Sequence, residues 1–522
     1  MSLELIKEAV RINQVIGQET TQTIVENDII VPDVKPDIAR ILLLDGDAFI
    51  GNTETVQDKI LVNGTVRYKI LYVSDDPEQP VKSINTSSPF NYAIDIPSAR
   101  QGMKCRVKCD IEHMEYDILN SRKVNVKTII NISGKVSNQV EQNIVNDFDG
   151  IEGIQVLRNM TSINFYIGSN EANCPVRETV EVPAGKPTIR EILRNDVKIT
   201  GKDYKLTDNK VVAKGELNIS TLYVGDDENR SIQFMEHEIP FTQFIDLPGV
   251  DEDACCEVEF NIADSSFEAE EDSDGELRFL KGEVIVNVFV DSFGKKEIEL
   301  VEDAYSPNSR MSLEKDIFKT EELVTENKSQ IILKETVEIS EESPDIAEVF
   351  NVLSKPSLSE ARLADDRIVL EGVLESNVLY LANSAEQPIF CSEQEIPFKH
   401  AIDVKGIKSD MGCTVEMNIE HCSYSMVSAR EVEIRFVTSV IVRISNQVEI
   451  PVVARASEQA LDDKRQDSRP SITIYFTQPG DNLWKIAKKY SITMDELKRV
   501  NGISADDDVD PGEQIIITRK LK

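Results

Sequence analysis

Apolar and polar side chains alternate along residues 60–72. Apolar residues, with one glycine among them, occupy every second position from Ile60 to Tyr72, and asparagine, threonine, arginine and lysine stand between them. This period of two predicts a β-strand with one buried face. A second run, from Cys105 to Ile111, alternates in the same way. Both runs indicate sheets that cover a core with one face only.

The same features return twice farther along the chain, at offsets of 151 and then 157 residues. A glycine, a Leu-Tyr pair, a Pro-Phe pair, an Ile-Asp pair and a cysteine all recur. Their members are Gly64, Gly215 and Gly372; Tyr72, Tyr223 and Tyr380; Phe90, Phe241 and Phe398; Asp95, Asp246 and Asp403; Cys105, Cys256 and Cys413. Ungapped recurrence of this kind identifies three copies of one domain.

The predicted fold is therefore mainly β, with three repeated antiparallel domains that are sandwich- or barrel-like and contain minor helix. The proline of KPDIARIL and its equivalents suit the first turn of that short helix. The recurring glycine suits a bulge or bend. We place the repeats at 1–150, 151–308 and 309–455. Residues 456–471 are polar and aperiodic, which predicts a flexible linker.

Residues 472–522 follow a different pattern. An apolar strand leads into a Pro-Gly turn, and Asp481 or Asn482 can cap the helix that follows. Thr493 and Glu496 form a capping box for a second helix, which ends at Asn501-Gly502. A second Pro-Gly turn then precedes a return strand. The order β, α, α, β predicts a small separate domain.

Charge excludes some classes of partner. The 522 residues carry a formal charge of −36, which disfavours nucleic acid and anionic lipid as partners. Residues 472–522 are neutral overall, so the whole excess lies in the repeats. No run of apolar residues is long enough to span a bilayer, and the first residues do not resemble a secretory signal. Eight cysteines without a CxxC pair predict reduced thiols in a cytosol.

Candidate catalytic and metal-binding residues are few. Cys109 takes the position of Phe260 and Met417, as a small buried hydrophobic residue would. The recurring aspartates (Asp95 and its equivalents) sit at strand ends, where a turn or backbone cap is a better interpretation than catalysis. The four histidines are scattered, and no phosphate loop, zinc spacing or nucleophile elbow is present. We expect no cofactor, no metal and no catalytic residue.

The C-terminal module resembles a LysM domain. Tyr-x-x-x-Pro-Gly-Asp-x-Leu-Trp-x-Ile-Ala, a later Tyr, Glu-Leu, Asn and Pro-Gly occur in the order of that family. The family generally binds N-acetylglucosamine polymers in a shallow groove. The resemblance places this groove, for protein or glycan, at Gly480, Asp481, Asn482, Leu483, Trp484, Asn501, Gly502 and Ile503. Many members have threonine where this chain has Asn482. Leu483 is better explained as core, and Trp484 as core or rim.

Three β repeats followed by one LysM module resemble the SPOCS-domain proteins of spore-forming Firmicutes, specifically the SipL-like clostridial spore-coat morphogenetic family. The resemblance implies a place in the mother-cell cytosol, at the outer surface of the forespore. It also implies a SpoIVA-like coat ATPase as partner, docked by the LysM module, and further coat proteins as possible partners.

Three functions follow as hypotheses. The first is a non-enzymatic spore-coat adaptor that links the coat-scaffold ATPase to the forespore surface. The second is a LysM-mediated peptidoglycan- or GlcNAc-polymer-binding protein of the cell wall or spore cortex; a single LysM groove is weak, because polymer affinity tends to come from tandem copies. The third, an enzyme within the repeats, has little support, because only the aspartate recurs in all three copies.

Overall fold

The computed structural model describes residues 3–76, 80–150, 152–382, 389–460, 471–503 and 509–518. Each repeat consists of six long antiparallel strands. The first repeat has β1 (Glu4–Ile30), β2 (Ile38–Val56), β3 (Lys59–Ser74), β4 (Val81–Asp95), β5 (Lys104–Asn120) and β6 (Lys123–Asp149). The second has β7 (Gln155–Glu181), β8 (Ile189–Thr207), β9 (Lys210–Gly225), β10 (Ile232–Asp246), β11 (Cys255–Glu271) and β12 (Leu277–Tyr305). The third has β13 (Ser309–Glu338), β14 (Ile346–Ala364), β15 (Arg367–Ala382), β16 (Ile389–Asp403), β17 (Gly412–Met426) and β18 (Glu431–Ala460).

Within each repeat the six strands form a sandwich of two three-stranded sheets. In the first repeat the sheet orders are β1-β6-β5 and β2-β3-β4, and both sheets contribute to one core. Ile60, Val62, Tyr68 and Ile70 of the predicted strand are all buried in it, opposite Ile130 of β6. The predictions of period-two strands and of repeated antiparallel domains are confirmed.

The first and last strands of each repeat are longer than the sandwich. β5 pairs with β6 no farther than Ser137, whereas β1 and β6 stay paired out to Glu4 and Asp149. We call this two-stranded extension the arm of the repeat. It leaves the sandwich at a register shift between Val15 and Gly17, and equivalent shifts occur in the other repeats. Such irregularities bend paired strands.

The three arms share one apolar core. Side chains from all three repeats meet there and exclude water: Val10, Ile12, Ile144, Ile163, Ile298, Leu300, Phe318, Ile450 and Val452. A second core, at the sandwiches, again joins equivalent positions of the three repeats: Leu42, Leu193 and Phe350, with Leu71, Leu222 and Leu379. The three repeats therefore pack side by side as one body.

Ion pairs between the repeats differ from one interface to the next. Arg194 of the second repeat lies buried against Asp45 of the first, with Asp196 also bound to its guanidinium at 2.6 Å. Arg106 of the first repeat binds Asp291 of the second, and Lys202 of the second lies 3.6 Å from Glu416 of the third. These residues line a central cavity of about 1530 Å³. Because the ion pairs differ between the interfaces, each repeat is matched to one particular neighbouring repeat.

The recurring Leu-Tyr pair anchors the loop before the second strand of each repeat. The hydroxyl of the tyrosine donates to a proline carbonyl at 3.0 to 3.3 Å, in the pairs Tyr72 to Pro36, Tyr223 to Pro187 and Tyr380 to Pro344. The loop then runs straight into a strand beginning at Ile38, Ile189 or Ile346. The short helix predicted in each repeat is therefore wrong, because β-branched residues beside the loop join the sheet instead.

The recurring glycine and the phenylalanine of the recurring Pro-Phe pair are in contact, and this contact explains why both recur. The ring of Phe90 on β4 lies over Gly64 on β3, which is its direct partner across the sheet. A Cβ at Gly64 would overlap that ring and the carbonyl of Phe49. The second and third repeats show the same overlap at their own glycines. Close approach of an aromatic ring, and not a special backbone angle, fixes this glycine.

The turn or cap role predicted for the recurring aspartates is wrong. Their side chains are exposed and form cross-strand ion pairs, from Asp95 to Lys59, Asp246 to Lys210 and Asp403 to Arg367. The caps come from an adjacent turn, where three residues with positive φ accept backbone N–H groups: Asp58, Asn209 and Asp366. In the first repeat, the segment after β4 packs beside this turn, and its backbone N–H donates to the side chain of Asp58.

Residues 471–503 and 509–518 form the predicted βααβ module. Its elements are β19 (Ile472–Phe476), α1 (Leu483–Tyr490), α2 (Met494–Asn501) and β20 (Gln514–Thr518), and the two strands pair antiparallel. The predicted linker, 456–471, begins too early: residues 456–460 continue β18, paired with Ser309–Leu313 in the arm. Residues 461–470 lie outside the described residues. No helix in the described parts of the chain is long and apolar enough to span a membrane.

The contact between glycine and phenylalanine generates a stability prediction. We expect Gly64→Ala to destabilise the protein by about 1–3 kcal/mol, because the added methyl group overpacks a filled site. The measurement is the urea midpoint by far-UV circular dichroism. Gly51→Ala, on β2 of the same sheet, is the control, since its Cβ would lie 3.4 Å from the nearest atom. Equal midpoints for the two variants would contradict this explanation of the repeat.

Candidate binding site

The turn after β19 carries the first residues of the predicted groove. Gly480 has φ +85°, a conformation that favours glycine. The carboxylate of Asp481 accepts hydrogen bonds from the Tyr475 hydroxyl at 2.6 Å and from the Gln478 backbone N–H at 2.8 Å. These two bonds hold the pKa of Asp481 below its ordinary value. Asp481 therefore stabilises the turn and ties it to the preceding strand.

Helix α1 begins as the sequence predicts. The side chain of Asn482 accepts the Lys485 N–H at 2.8 Å and is the N-cap. Leu483 is 2% exposed and belongs to the core of the module, with Ile486 and Ala487. The side-chain oxygen of Asn482 is thus used to start the helix, which is also the role that threonine can fill in other members.

The other side of the predicted groove is equally structural. Asn501 binds β20 from both ends of its amide: it donates to the Ile516 carbonyl at 2.7 Å and accepts from the Ile516 N–H at 2.6 Å. Gly502 ends α2 with φ +70°. Ile503 packs against the same hydrophobic core as Leu483 and Trp484. Asp481 Oδ2, Asn482 Oδ1 and both polar atoms of the Asn501 amide are therefore engaged within the module, and ligand contact by these residues stays a prediction.

Trp484 faces the second repeat. Its indole Nε1 donates a hydrogen bond to Oδ2 of Asp303 at 2.9 Å. The ring meets Tyr305 edge to face, with centroids 4.9 Å apart and planes at 71°. Only 9% of Trp484 remains exposed. The sole tryptophan thus belongs to a core, and Tyr305 of the second repeat is part of that core.

Lys488 completes this contact. One turn after Trp484, it presents its ammonium on the same face of α1, 2.6 and 2.7 Å from the two oxygens of Asp303. Burial by itself would raise the pKa of Asp303, but the hydrogen bonds from Lys488 and Trp484 outweigh burial and lower it. Asp303 is therefore held as a carboxylate by two donors of the LysM-like module.

Two further bonds join the same surfaces. The Tyr305 hydroxyl donates to the Ile492 carbonyl at 2.8 Å, and the Met494 N–H donates to Gln155 Oε1 at 3.1 Å. Both backbone groups lie in or beside the loop between α1 and α2. Leu157 packs against the edge of the module's core. We call these contacts of Asp303, Tyr305, Gln155 and Leu157 the docking contact.

The residues of the docking contact on the second repeat were missed by the sequence analysis. They lie at the tip of its arm, where β7 begins and β12 ends. In strand register, Asp147 and Arg455 are equivalent to Asp303, while Asp149 and Ser457 are equivalent to Tyr305. A tyrosine in only one of three repeats was a visible difference, but without the fold nothing connected it to Trp484.

Cysteines and metal-ligating side chains are the remaining candidates for chemistry in the described chain. All eight cysteines are free, and burial raises the pKa of Cys109 to about 12, so this thiol is unreactive. In the described ranges, no group of three or more histidines, cysteines and carboxylates is placed to hold a metal ion. Beside the docking contact, Trp484, Lys485 and Lys488 line a cleft of about 530 Å³ with Leu157, Met311 and Leu313.

Comparison with known families agrees with this architecture. The SipL SPOCS-domain family matches residues 37–119, 188–270 and 345–427, once in each repeat. The LysM domain family matches residues 475–518. The chain is SipL-like. Its three repeats are SPOCS domains and its last module is a LysM domain. The matched SPOCS ranges begin just before β2, β8 and β14; the first two end within β5 and β11, and the third ends one residue after β17. The arms thus lie mainly outside them.

One curated protein shares part of the sequence. A probable peptidoglycan endopeptidase, LytE of Bacillus subtilis, is 53% identical over 32 residues. The match covers 6% of this chain and 10% of that protein. No solved structure matches the chain. Both matched families consist of binding or scaffold domains, and together they indicate a sporulation-associated protein that carries a LysM module.

The lowered pKa of Asp303 predicts how the docking contact depends on pH. A carboxyl group whose pKa falls on docking stabilises the docked state above its ordinary pKa, near 4, and loses that effect as pH falls. We expect the emission of Trp484 to shift to the red as pH is lowered below about 4, toward the lowered pKa of the docked Asp303. Asp303→Asn should remove this pH dependence, with far-UV circular dichroism checking that the sandwiches stay folded. A wild-type pH curve in the variant would contradict the assignment.

Proposed function

We propose that this SipL-like chain is a non-enzymatic adaptor of spore-coat assembly. In this proposal the LysM domain docks a coat-scaffold ATPase of the SpoIVA type, and the SPOCS body connects that ATPase, with further coat proteins, to the forespore surface. The site of action is the mother-cell cytosol. The combination of three SPOCS domains with one LysM domain supports this assignment.

The observation that carries the proposal is the position of Trp484. In this structure the face of the LysM domain formed by Trp484 and Lys488 contacts protein, through a carboxylate and an aromatic ring. Buried tryptophans bonded through their indole N–H are typical anchors of protein interfaces. A face able to bind one protein surface is suited to a second surface of the same chemistry.

The polar groups of the predicted groove favour the same conclusion. Binding of a sugar polymer needs free donors and acceptors, yet Asp481 Oδ2, Asn482 Oδ1 and both polar atoms of the Asn501 amide are used within the domain. The chain also repeats its SPOCS domain and not its LysM domain, so it gains no avidity for a polymer. Protein docking therefore agrees better with the geometry than glycan binding does.

Binding of peptidoglycan or another GlcNAc polymer is the second candidate. It is favoured by the match to LytE, a probable peptidoglycan endopeptidase that is 53% identical over 32 residues. This function would place the chain at the cell wall or spore cortex. It would require a ligand at the turn around Gly480 or at the loop around Gly502, on surfaces that the docking contact leaves accessible.

Deletion of the LysM domain tests the adaptor. We expect the full chain to retain the coat-scaffold ATPase in a pull-down, and a chain ending at residue 470 to lose most of it, because the anchor Trp484 is removed. Removal of one anchor side chain costs about 2 kcal/mol or more, roughly thirtyfold in Kd, so Trp484→Ala should lose binding as well. Retention by the truncated chain would move the interface to the SPOCS body.

The glycan candidate has its own readout. Trp484 is the only tryptophan, so its fluorescence reports directly on its surroundings. Under the adaptor proposal, chitooligosaccharide leaves the emission unchanged, and the full chain is not retained on insoluble peptidoglycan. Saturable retention that soluble chitooligosaccharide abolishes would favour the second candidate instead.

A further inference from the structure

The docking contact satisfies every polar group that it buries on both sides. Asp303 receives one indole N–H and one ammonium, and the Tyr305 hydroxyl reaches the Ile492 carbonyl. An unpaired buried carboxylate would be costly, so Asp303 matches Trp484 and Lys488 specifically. The carboxylate and the neighbouring ring together form the complement of this LysM face.

This combination of a carboxylate and a neighbouring tyrosine ring occurs in one repeat only. At the tips of the other two arms the equivalents of Asp303 are Asp147, which is paired with Arg158 at 2.7 Å, and Arg455, which has the opposite charge. Neither of these arms carries a tyrosine at the position of Tyr305. The second repeat is therefore the one that can hold the LysM domain in this way.

We propose that the arm tip of the second repeat occupies the partner-binding face of the LysM domain. That face, Trp484 with Lys488, takes a carboxylate beside an aromatic ring, from Asp303 and Tyr305 within the chain or from the partner. The two occupants exclude each other, so the docked chain is a closed state that must open before the partner binds. This inference rests on the proposed adaptor function and adds the chemistry of its partner surface.

The exclusion follows from geometry. The indole of Trp484 has one N–H, and this group is already bonded to Oδ2 of Asp303, so a partner carboxylate can bind it only after Asp303 has left. Trp484 is only 9% exposed in the closed state. Ten residues join β18 to the start of the LysM domain. A connection of this length keeps the two surfaces at about millimolar effective concentration, which an incoming partner must overcome.

Closure lowers the apparent affinity for the partner, because only the open fraction of molecules can bind it. Substitutions on the two sides of the docking contact therefore have opposite effects. Asp303→Ala opens the chain and leaves the LysM face intact, so the partner binds more tightly. Lys488→Ala opens the chain as well, but it removes a donor that the partner needs, so the partner binds more weakly.

The experiment uses the full chain and the coat-scaffold ATPase. Acrylamide quenching of Trp484 measures opening, and we expect it to increase in both Asp303→Ala and Lys488→Ala. Binding to the ATPase should strengthen about tenfold in Asp303→Ala, the effect of losing hydrogen bonds to a charged group. It should weaken in Lys488→Ala. Asp147→Ala, at the equivalent position of the first repeat, is the matched control and should change neither measurement.

The outcomes separate the inference from the function on which it rests. Tyr305→Phe, which loses the hydroxyl bound to Ile492 but keeps the ring, should reproduce the direction of Asp303→Ala if that variant proves unstable. If Asp303→Ala and Lys488→Ala both expose Trp484 but shift the ATPase affinity in the same direction, or not at all, the shared-face inference is overturned while the adaptor proposal stands. If no form of the chain binds the ATPase, the adaptor proposal fails and the inference fails with it.

Discussion

Burial of apolar side chains between the three arms is the interaction on which the rest of the structure depends. Each arm is only two strands wide, and an isolated two-stranded ribbon is marginally stable in water. Packed together, the arms bury Val10, Ile163 and Phe318 with their neighbours, and each such side chain contributes about 1.5–3 kcal/mol. The second arm, whose tip carries the docking contact, is held in place by packing against the other two arms.

The three repeats are alike where each folds alone and different where they meet. Tyr72, Gly64 and Phe90 have equivalents in every repeat because each sandwich needs the same loop anchor and the same close approach of ring to strand. The contacts between repeats are not repeated: Arg194 binds Asp45, but the position of Arg194 is taken by Leu43 in the first repeat and by Asn351 in the third. One body, in a fixed order of repeats, follows from these asymmetric contacts.

The LysM domain shows the same division between folding and recognition. The residues that identify the family, from Gly480 to Leu483 and again at Asn501, build the turn, the N-cap, the core and the link to β20. The contact with the second repeat is made by other side chains of α1, Trp484 and Lys488. A family motif can therefore be intact because the fold needs it, whatever the domain binds.

The sequence alone determined the repeat number, the strand periodicity, an antiparallel class that was sandwich- or barrel-like, and the βααβ module, because these depend on local patterns and on recurrence. The caps at Asn482 and Thr493 were also predictable, since they act over three residues. Only the tertiary structure decided that KPDIARIL enters a strand, that the sandwiches extend into arms, and that Asp303 and Tyr305 meet Trp484 across some 180 residues. These outcomes depend on which apolar and polar surfaces stay exposed after each domain has folded and must then pack against one another. Such packing joins residues that are distant in sequence, so no local pattern predicts it.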